Sequence, residues 1–340
     1  MGEESFASLC QEPRISNIES FKPNHYYGHA FILKQYANYP TQKPLQAVLQ
    51  HGYDFLSDDF LFGGEFEAPL PVFFPPNPKR AAFYNDISGG KPAIPIGAPF
   101  LYAKKWVDQT QPGTDVRKGT LVFPVHSTRL IKAVFDHDAY AEKLDALPDE
   151  FKPIAVSIYW RDYLQGSHQA YQKRGFEILS SGHMLDTHFI NRAYMNARKY
   201  KYSCSNEYGT ALFYSVASGC QYFHYESEAI QRIADDPSKL ILENISQSQQ
   251  QQFNRLFSYP AFASLAEQSS FVLAHLGQDC LKTPHELYQL FRWAEWMDWV
   301  YCPPLAKKNK GNYPDWFLKL PPRIQRFKKV TKILEGLSLI

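Results

Sequence analysis

Residues 202–214 read YSCSNEYGTALFY and run on into SVASGCQYFHYE. A short apolar run ends near Cys204, six small and polar residues intervene, and apolar residues resume at helical spacing in ALFYSVASG. This pattern predicts a buried strand turning into a helix, with a second strand, CQYFHY, after the Gly stop. The turn does without Pro, Asp or Asn-Gly. It offers Ser203, Ser205, Asn206, Gly209 and Thr210, with Glu207 among them. A helix starting near Gly209 presents unpaired N–H groups and the positive end of its dipole, and Ser205, Asn206 and Thr210 add neutral donors. Two uses fit: a phosphate cradle, or an ordinary helix capped by Ser205 or Asn206. The turn is neither GxxxxGK[ST] nor GxGxxG.

The same alternation extends back to residue 119. TLVFPVHST reads as strand and loop, HDAYAEKLDAL as helix, PIAVSIYW as strand, SHQAYQKRG as helix, FEILSSG as strand and HFINRAYMNAR as helix. Strand and helix alternating with crossovers of this size predict a doubly wound parallel sheet, whose ligands sit beyond the carboxyl ends of the strands. The loops at 126–129, 160–166, 181–186 and 203–210 are then expected to share one rim. Upstream, LQAVLQ, PVFF, RAAFY and AIPIGAPFLYA are short apolar runs closed by turn residues and read as buried strands of a mainly parallel sheet. Between the two regions lies QTQPGTDVRKG (109–119), polar and rich in Pro and Gly, the natural linker. Downstream, QSQQQQF reads as part of a helix, and Thr283-Pro284-His285-Glu286 signals the start of the helix ELYQLFRWAEWMDWV. The expected organisation is an α/β chain with an N-terminal domain at 1–108, a linker at 109–118, a second domain at 119–305 and a basic amphipathic tail at 306–340.

Bulk properties narrow the classes. With 340 residues and 44% hydrophobic content the chain buries a sizeable core, which excludes a mostly disordered protein. A net charge of +2 provides no global field for nucleic acid. Aromatics at 16% supply core packing first, and carbohydrate-lined clefts as the alternative. Five scattered cysteines show no zinc spacing and no disulfide framework, which points to a reducing compartment. The N-terminus lacks the apolar core of a signal peptide, and Phe6 stands where myristoylation needs Ser or Thr. No run approaches a membrane span. A soluble, cytoplasmic protein is expected. The tail mixes Lys and Arg with Trp, Phe, Leu and Ile, which suits either peripheral contact with an anionic membrane or a packed helix with a solvated basic face.

Each strand end carries candidate chemistry. His51, in LQHGYDF, follows a strand and precedes Gly, placing it to act as a general base near neutral pH or to bond the local backbone; Asp54, Asp58 and Asp59 are alternative carboxylate bases. His126, with Ser127, Thr128 and Arg129, suits a phosphate or carboxylate better than a nucleophilic triad, and no GxSxG occurs. Tyr159, Trp160, Arg161 and Asp162 provide rings to stack on a base or sugar beside a charged pair, or core aromatics with a local ion pair. Ser181, Gly182, His183 and Asp186 form a turn that either presents main-chain groups to a nucleobase edge or merely reverses the chain. No His pair has the spacing of a metal site.

In this order, LQHGY, GTLVFPVHST and YSCSNEYGTALFYSVASG, the chain resembles glycosyltransferases of the GT-B type. It looks most like the bacterial surface-polysaccharide branch, which includes capsule, lipopolysaccharide and wall-polymer transferases and sialyl- and Kdo-transferase-like enzymes. The resemblance is one of motif order over residues 45–226. SNEYGT replaces the acidic, Ser-rich turn of the wall-polymer enzymes, and the Glu-x7-Glu donor signature is absent. The resemblance implies two Rossmann-like domains with a cleft between them, and a donor held by the C-terminal domain. It implies metal-independent transfer of a sugar from a nucleotide-activated donor, CMP-linked donors included, to a hydroxyl of a glycan or lipid-linked glycan, with no cofactor beyond the nucleotide-sugar substrate. It casts His51 and His126 as catalytic and Ser127, Thr128, Ser205, Asn206, Gly209 and Thr210 as donor-phosphate ligands. Tyr159, Trp160, Asp162, Gly182, His183 and Glu207 would hold nucleobase and sugar. The alternatives are a nucleotide-sugar epimerase or hydrolase of the same architecture, and a non-catalytic glycan-binding protein.

Overall fold

Ser203 and Ser215 meet through their hydroxyls at 2.9 Å, and Ser215 also donates to the carbonyl of Leu212 at 3.1 Å. Small side chains at this contact let a helix lie close on a strand, which is the packing the 202–217 stretch calls for. The structure is a computed structural model and describes residues 6–14, 19–52, 64–65, 68, 70–87, 91–113, 116–128, 131–234 and 247–300. Asp54, Asp58, Asp59, Arg129 and the 306–340 tail lie outside these residues.

The N-terminal part comprises α1 (Phe6–Leu9), a 3-10 segment (Lys22–Gly28), α2 (His29–Tyr36), β1 (Val48–Leu49), β2 (Phe73–Phe74), α3 (Pro78–Ile87) and α4 (Pro99–Thr110). β1 and β2 pair in parallel, and Ala93 adds a parallel bridge to Phe73. Two sequence expectations fail here. RAAFY is helical, not a strand: Asn77 accepts from the Arg80 N–H at 2.9 Å and Pro78 opens the helix, a start signal that outweighs a short apolar run. In AIPIGAPFLYA, the first residues run alongside β2, with the Ile94 and Ile96 N–H groups donating to the carbonyls of Phe73 and Pro75 at 3.0 Å, but Pro99 opens α4. Residues Pro99–Ala103 are all buried, so periodicity could not separate this helix from a core strand.

The rest runs β3 (Thr120–Val122), β4 (Ile131–Val134), α5 (His137–Asp145), β5 (Ile154–Ser157), α6 (Trp160–Leu164), α7 (His168–Gln172), β6 (Glu177–Leu179), α8 (Phe189–Ala197), β7 (Tyr202–Ser205), α9 (Thr210–Ala217), β8 (Gln221–His224), β9 (Gln231–Ala234), α10 (Gln247–Phe257), α11 (Leu265–His275) and α12 (Pro284–Val300). Strands β6-β5-β3-β7-β8 form one wholly parallel sheet. Counted in chain order within the sheet this is 3-2-1-4-5, so the winding reverses between β3 and β7. Residues alternate between its two faces as a pleated strand requires. Leu121 and Ala155 pack towards Ala197 and Tyr200, whereas Val122, Val156, Cys204 and Phe223 pack towards Tyr140, Leu144 and Tyr171. β4 and β9 make a separate antiparallel ribbon, which the sequence reading did not anticipate.

One apolar cluster joins Ile32 and Leu33 of α2, Phe100 and Leu101 of α4, Ile190 of α8, Phe213 of α9, Val272 of α11 and Phe291 of α12. The helices of the N-terminal part and those covering one face of the sheet therefore share a core. The free edge of β8 is closed by the buried Gln268 side chain, which accepts from the Tyr222 N–H at 2.8 Å and donates to its carbonyl at 2.6 Å. Among the described residues no helix is long and apolar enough to cross a membrane.

α2 is fixed by a buried ion pair. Lys34 Nζ donates to Glu19 at 2.5 Å and to the carbonyls of Thr41 and Lys43 at 3.0 and 2.9 Å, while Glu19 also accepts the Leu45 N–H at 2.6 Å. Replacing Lys34 by Met leaves a buried carboxylate uncompensated and should cost about 3–5 kcal/mol in urea unfolding. Breaking the exposed Lys104–Asp108 pair should cost less than about 1 kcal/mol in the same assay.

Candidate functional site

Where the winding reverses, the loops after β3 and β7 lie side by side. β3–β7 pairing continues past the strands, as Phe123 N–H donates to the Cys204 carbonyl at 2.8 Å. Asn206 then bridges the crevice: its Oδ1 accepts the Val125 N–H at 2.7 Å and its Nδ2 donates to Ser227 at 3.0 Å. Ser205 Oγ accepts the Glu207 N–H at 3.3 Å. On the opposite loop Ser127 N–H donates to the buried Asp162 carboxylate at 3.3 Å, and Ser127 Oγ accepts from Ala133 of β4. Thr128 closes its turn by accepting the Ile131 N–H at 3.0 Å. Burial raises the Asp162 pKa, offset in part by the Ser127 hydrogen bonds.

Gly209 caps α9 without any side chain, and a Cβ there would meet nothing within 4 Å. The N-terminus of α9 is half-exposed and carries no side-chain cap, so its first N–H groups and the positive end of the helix dipole are left without a side-chain partner at the cap. His126 is an exposed residue on the loop after β3. Desolvation and then the charge of Arg232 lower its pKa to about 4. Tyr159 lies against it, with ring centroids 4.4 Å apart.

His51 comes to this rim from the other side. The segment before α2 docks on the loop after β6: Tyr27 N–H donates to the Met184 carbonyl at 2.6 Å. Gly28 has φ +74°, and a Cβ would stand 2.1 Å from the Thr187 carbonyl oxygen, so only glycine fits. Tyr27 stacks on His51 at 5.5 Å, and its hydroxyl is 3.5 Å from that of Tyr159. A continuous line of rings thus runs His51–Tyr27–Tyr159–His126. His29 adjoins it, 6.1 Å from His51 and sharing a 3.3 Å hydrogen bond with Tyr214 of α9. Glu65 anchors the His51 backbone, accepting the main-chain N–H of His51 at 2.6 Å and the Tyr84 hydroxyl.

Among the sequence candidates, His126, Ser127, Thr128, Asp162, Ser205, Asn206, Glu207, Gly209 and Thr210 gather around the crevice, with Tyr159 beside them. Gly182 and His183 sit further along the rim, near Trp160 (4.1 Å between rings), under the N-terminal segment. His183 N–H donates to the Leu9 carbonyl at 2.7 Å, and its Nδ1 accepts from Leu185 at 3.1 Å. The sequence reading missed His29, Tyr27, Tyr214, Glu65 and Arg232. The HYYGH string at 25–29, two histidines and two tyrosines around a glycine, was a usable signal for the first two. Residues 231–234 had none. No three His, Cys, Asp or Glu side chains among the described residues are grouped to hold a metal ion.

Chemically the site offers neutral imidazoles, phenols and helix N–H groups. Burial lowers the His51 pKa to about 4; for His29 burial, then His51, lowers it to about 3. Both are neutral in the fold at pH 7. Unfolded histidine binds its proton near pH 6.5, so between about pH 6.5 and 4 the unfolded chain holds more protons than the native one. Stability should be fully present above pH 6.5 and fall as pH drops towards 4, by on the order of 3 kcal/mol for each buried ring. Melting temperatures across this range should show the decline, and a His29→Gln/His51→Gln variant should show a flatter profile.

No protein-family model matches this chain, and no curated protein matches its sequence. Among solved structures it is similar to a chain of the "Crystal structure of GtfA/B complex", at 13% identity and a TM-score of 0.35. That match covers 73% of this chain and 52% of the other, so it spans about half of that protein's length. It is also similar to the "S. aureus MnaA-UDP co-structure", at 10% identity and a TM-score of 0.36, over 80% of each chain. Likeness of this degree carries no weight for activity, which has to be read from the side chains.

Proposed function

We propose that the chain is a glycosyltransferase of the two-domain GT-B kind, moving a sugar from a nucleotide-activated donor to a hydroxyl of a glycan acceptor. The observations behind this reading are an uncapped helix N-terminus at the switch point of a parallel sheet, and a histidine from outside that sheet, His51, linked to the same rim through Tyr27 and Tyr159. The first supplies what a departing phosphate needs, and the second what an acceptor hydroxyl needs.

In this mechanism the donor phosphate lies against the N–H groups of α9 and the Thr210 hydroxyl, with Gly209 allowing close approach. Asn206, Ser205, Ser127 and Thr128 hold the two turns in register through their internal hydrogen bonds. The acceptor oxygen forms a bond to the anomeric carbon as the carbon–oxygen bond to phosphate breaks. The electron pair leaves on the phosphate, where the helix dipole and a His126 N–H stabilise it. His51 orients the acceptor and takes its proton. A site around Tyr159 and Trp160 holds nucleobase or sugar by stacking.

The first test is a thermal-shift panel of CMP, CDP and UDP, in which one nucleotide should raise the melting temperature. No shift with any of them would favour a non-catalytic glycan-binding protein. With the donor so identified, His51→Ala should lower turnover about 10²- to 10⁴-fold; unchanged turnover would remove His51 from catalysis. Gly209→Asp separates binding from folding. An Asp at the open cap position should stabilise the free protein by on the order of a few tenths of a kcal/mol. The same carboxylate occupies the N–H groups and repels phosphate, so nucleotide binding should be lost. Unaltered binding would move the phosphate site elsewhere.

A further inference from the structure

Glu207 is out of place at an anion site. It lies two residues before the cap of α9, where its charge would repel a phosphate approaching the helix N-terminus. It is paired with Arg232 of β9, and the side chains of the pair are 45% (Arg232) and 28% (Glu207) exposed. The ribbon explains how Arg232 reaches this spot. Arg232 stands opposite Ala133 in the β4–β9 register, and Ala133 N–H is bound to Ser127, next to His126. The guanidinium also acts electrostatically on His126. Arg232 therefore lies between the loop after β3 and the loop after β7, above the crevice that Asn206 bridges.

We propose that Arg232 is a binding residue for the phosphate of the donor, held by Glu207 until that phosphate arrives. The proposal rests on the nucleotide-sugar reading of the site and adds to it the residue that supplies positive charge. With the site empty, the ion pair leaves the mouth of the crevice without net charge and keeps the guanidinium ordered. A phosphate at α9 offers the guanidinium a bidentate partner of higher charge than one carboxylate. An ion pair this exposed is weak, so the exchange costs little.

A second role is available to the pair: a latch that only holds the β4–β9 ribbon down. The two roles make opposite forecasts. As a latch, Arg232→Gln and Glu207→Gln break the same contact and should change binding in the same direction. As a phosphate ligand with a resting partner, Arg232→Gln should weaken binding about tenfold, and Glu207→Gln should strengthen it several-fold by freeing the arginine and removing the repulsion. The probes are inorganic pyrophosphate, CMP, CDP and UDP, titrated calorimetrically into the full chain at low and moderate salt. The Arg232→Gln variant should also lose part of the salt dependence of binding. Melting temperatures of both variants should stay close to that of the parent protein, because the pair is exposed.

Opposite shifts support the proposal. Shifts in the same direction, or no shift in either variant, overturn it while leaving the nucleotide site intact. Absence of binding of every probe to the parent protein overturns both the proposal and the reading it rests on.

Discussion

The site depends on the close backbone approach of residues 27–28 to the loop after β6. The Tyr27 N–H bond to Met184 and the contact of Gly28 with Thr187 leave no room for a side chain. That contact sets where α2 begins, and so where His29 lies. It also holds Tyr27 between His51 and Tyr159, which is the link from the N-terminal part to the rim of the sheet. The shared apolar core of α2, α4, α8 and α9 supports the contact along its length. A hydrogen bond alone would be weak in water; here it is buried beside packed rings, and its loss would strand polar groups without solvent.

Two electrostatic choices follow. The histidines are kept neutral by burial, so they present hydrogen-bonding nitrogens without attracting anions on their own account. Positive potential comes instead from the uncapped N-terminus of α9, while the charge of Arg232 is balanced by Glu207. Polar groups that look free in the sequence are mostly engaged. Asn206 bonds through both its amide oxygen and its amide nitrogen in bridging neighbouring loops, and Ser205, Ser127 and Thr128 each accept an N–H of a nearby backbone. Such bonds fix the crevice before any ligand enters, which is how preorganised sites avoid reordering cost.

The legibility of the sequence varied with the kind of signal. From residue 119 to 226, β4 excepted, the main strands and helices could be read because apolar periodicity and Gly or Asp boundaries agreed with each other, as at Asp136, which caps α5 through the Ala139 N–H. The N-terminal part resisted the same method. Pro99–Ala103 is buried on all sides and so has no polar face, and the Asn77–Pro78 start of α3 was outvoted by the apolar RAAFY. Within the site, His51, His126 and the 205–210 turn were visible because each follows a strand. Tyr214 and His29 were not, since each lies within a helix and gains its meaning only from the partner opposite.

The sequence by itself determined a parallel α/β sheet in the second part of the chain, a glycine-led helix start after β7, and histidines at two strand ends. These are local properties, fixed by period, turn chemistry and burial. Only the tertiary structure decided the strand order 3-2-1-4-5, the crevice it opens between β3 and β7, and the return of β9 to set Arg232 over it. It also decided which polar side chains face the crevice and which are spent in building it. The physical reason is that these depend on pairings between residues distant in the chain, such as Thr120 with Tyr202 and Ala133 with Arg232, and no local pattern records which of several compatible pairings the packed core will select.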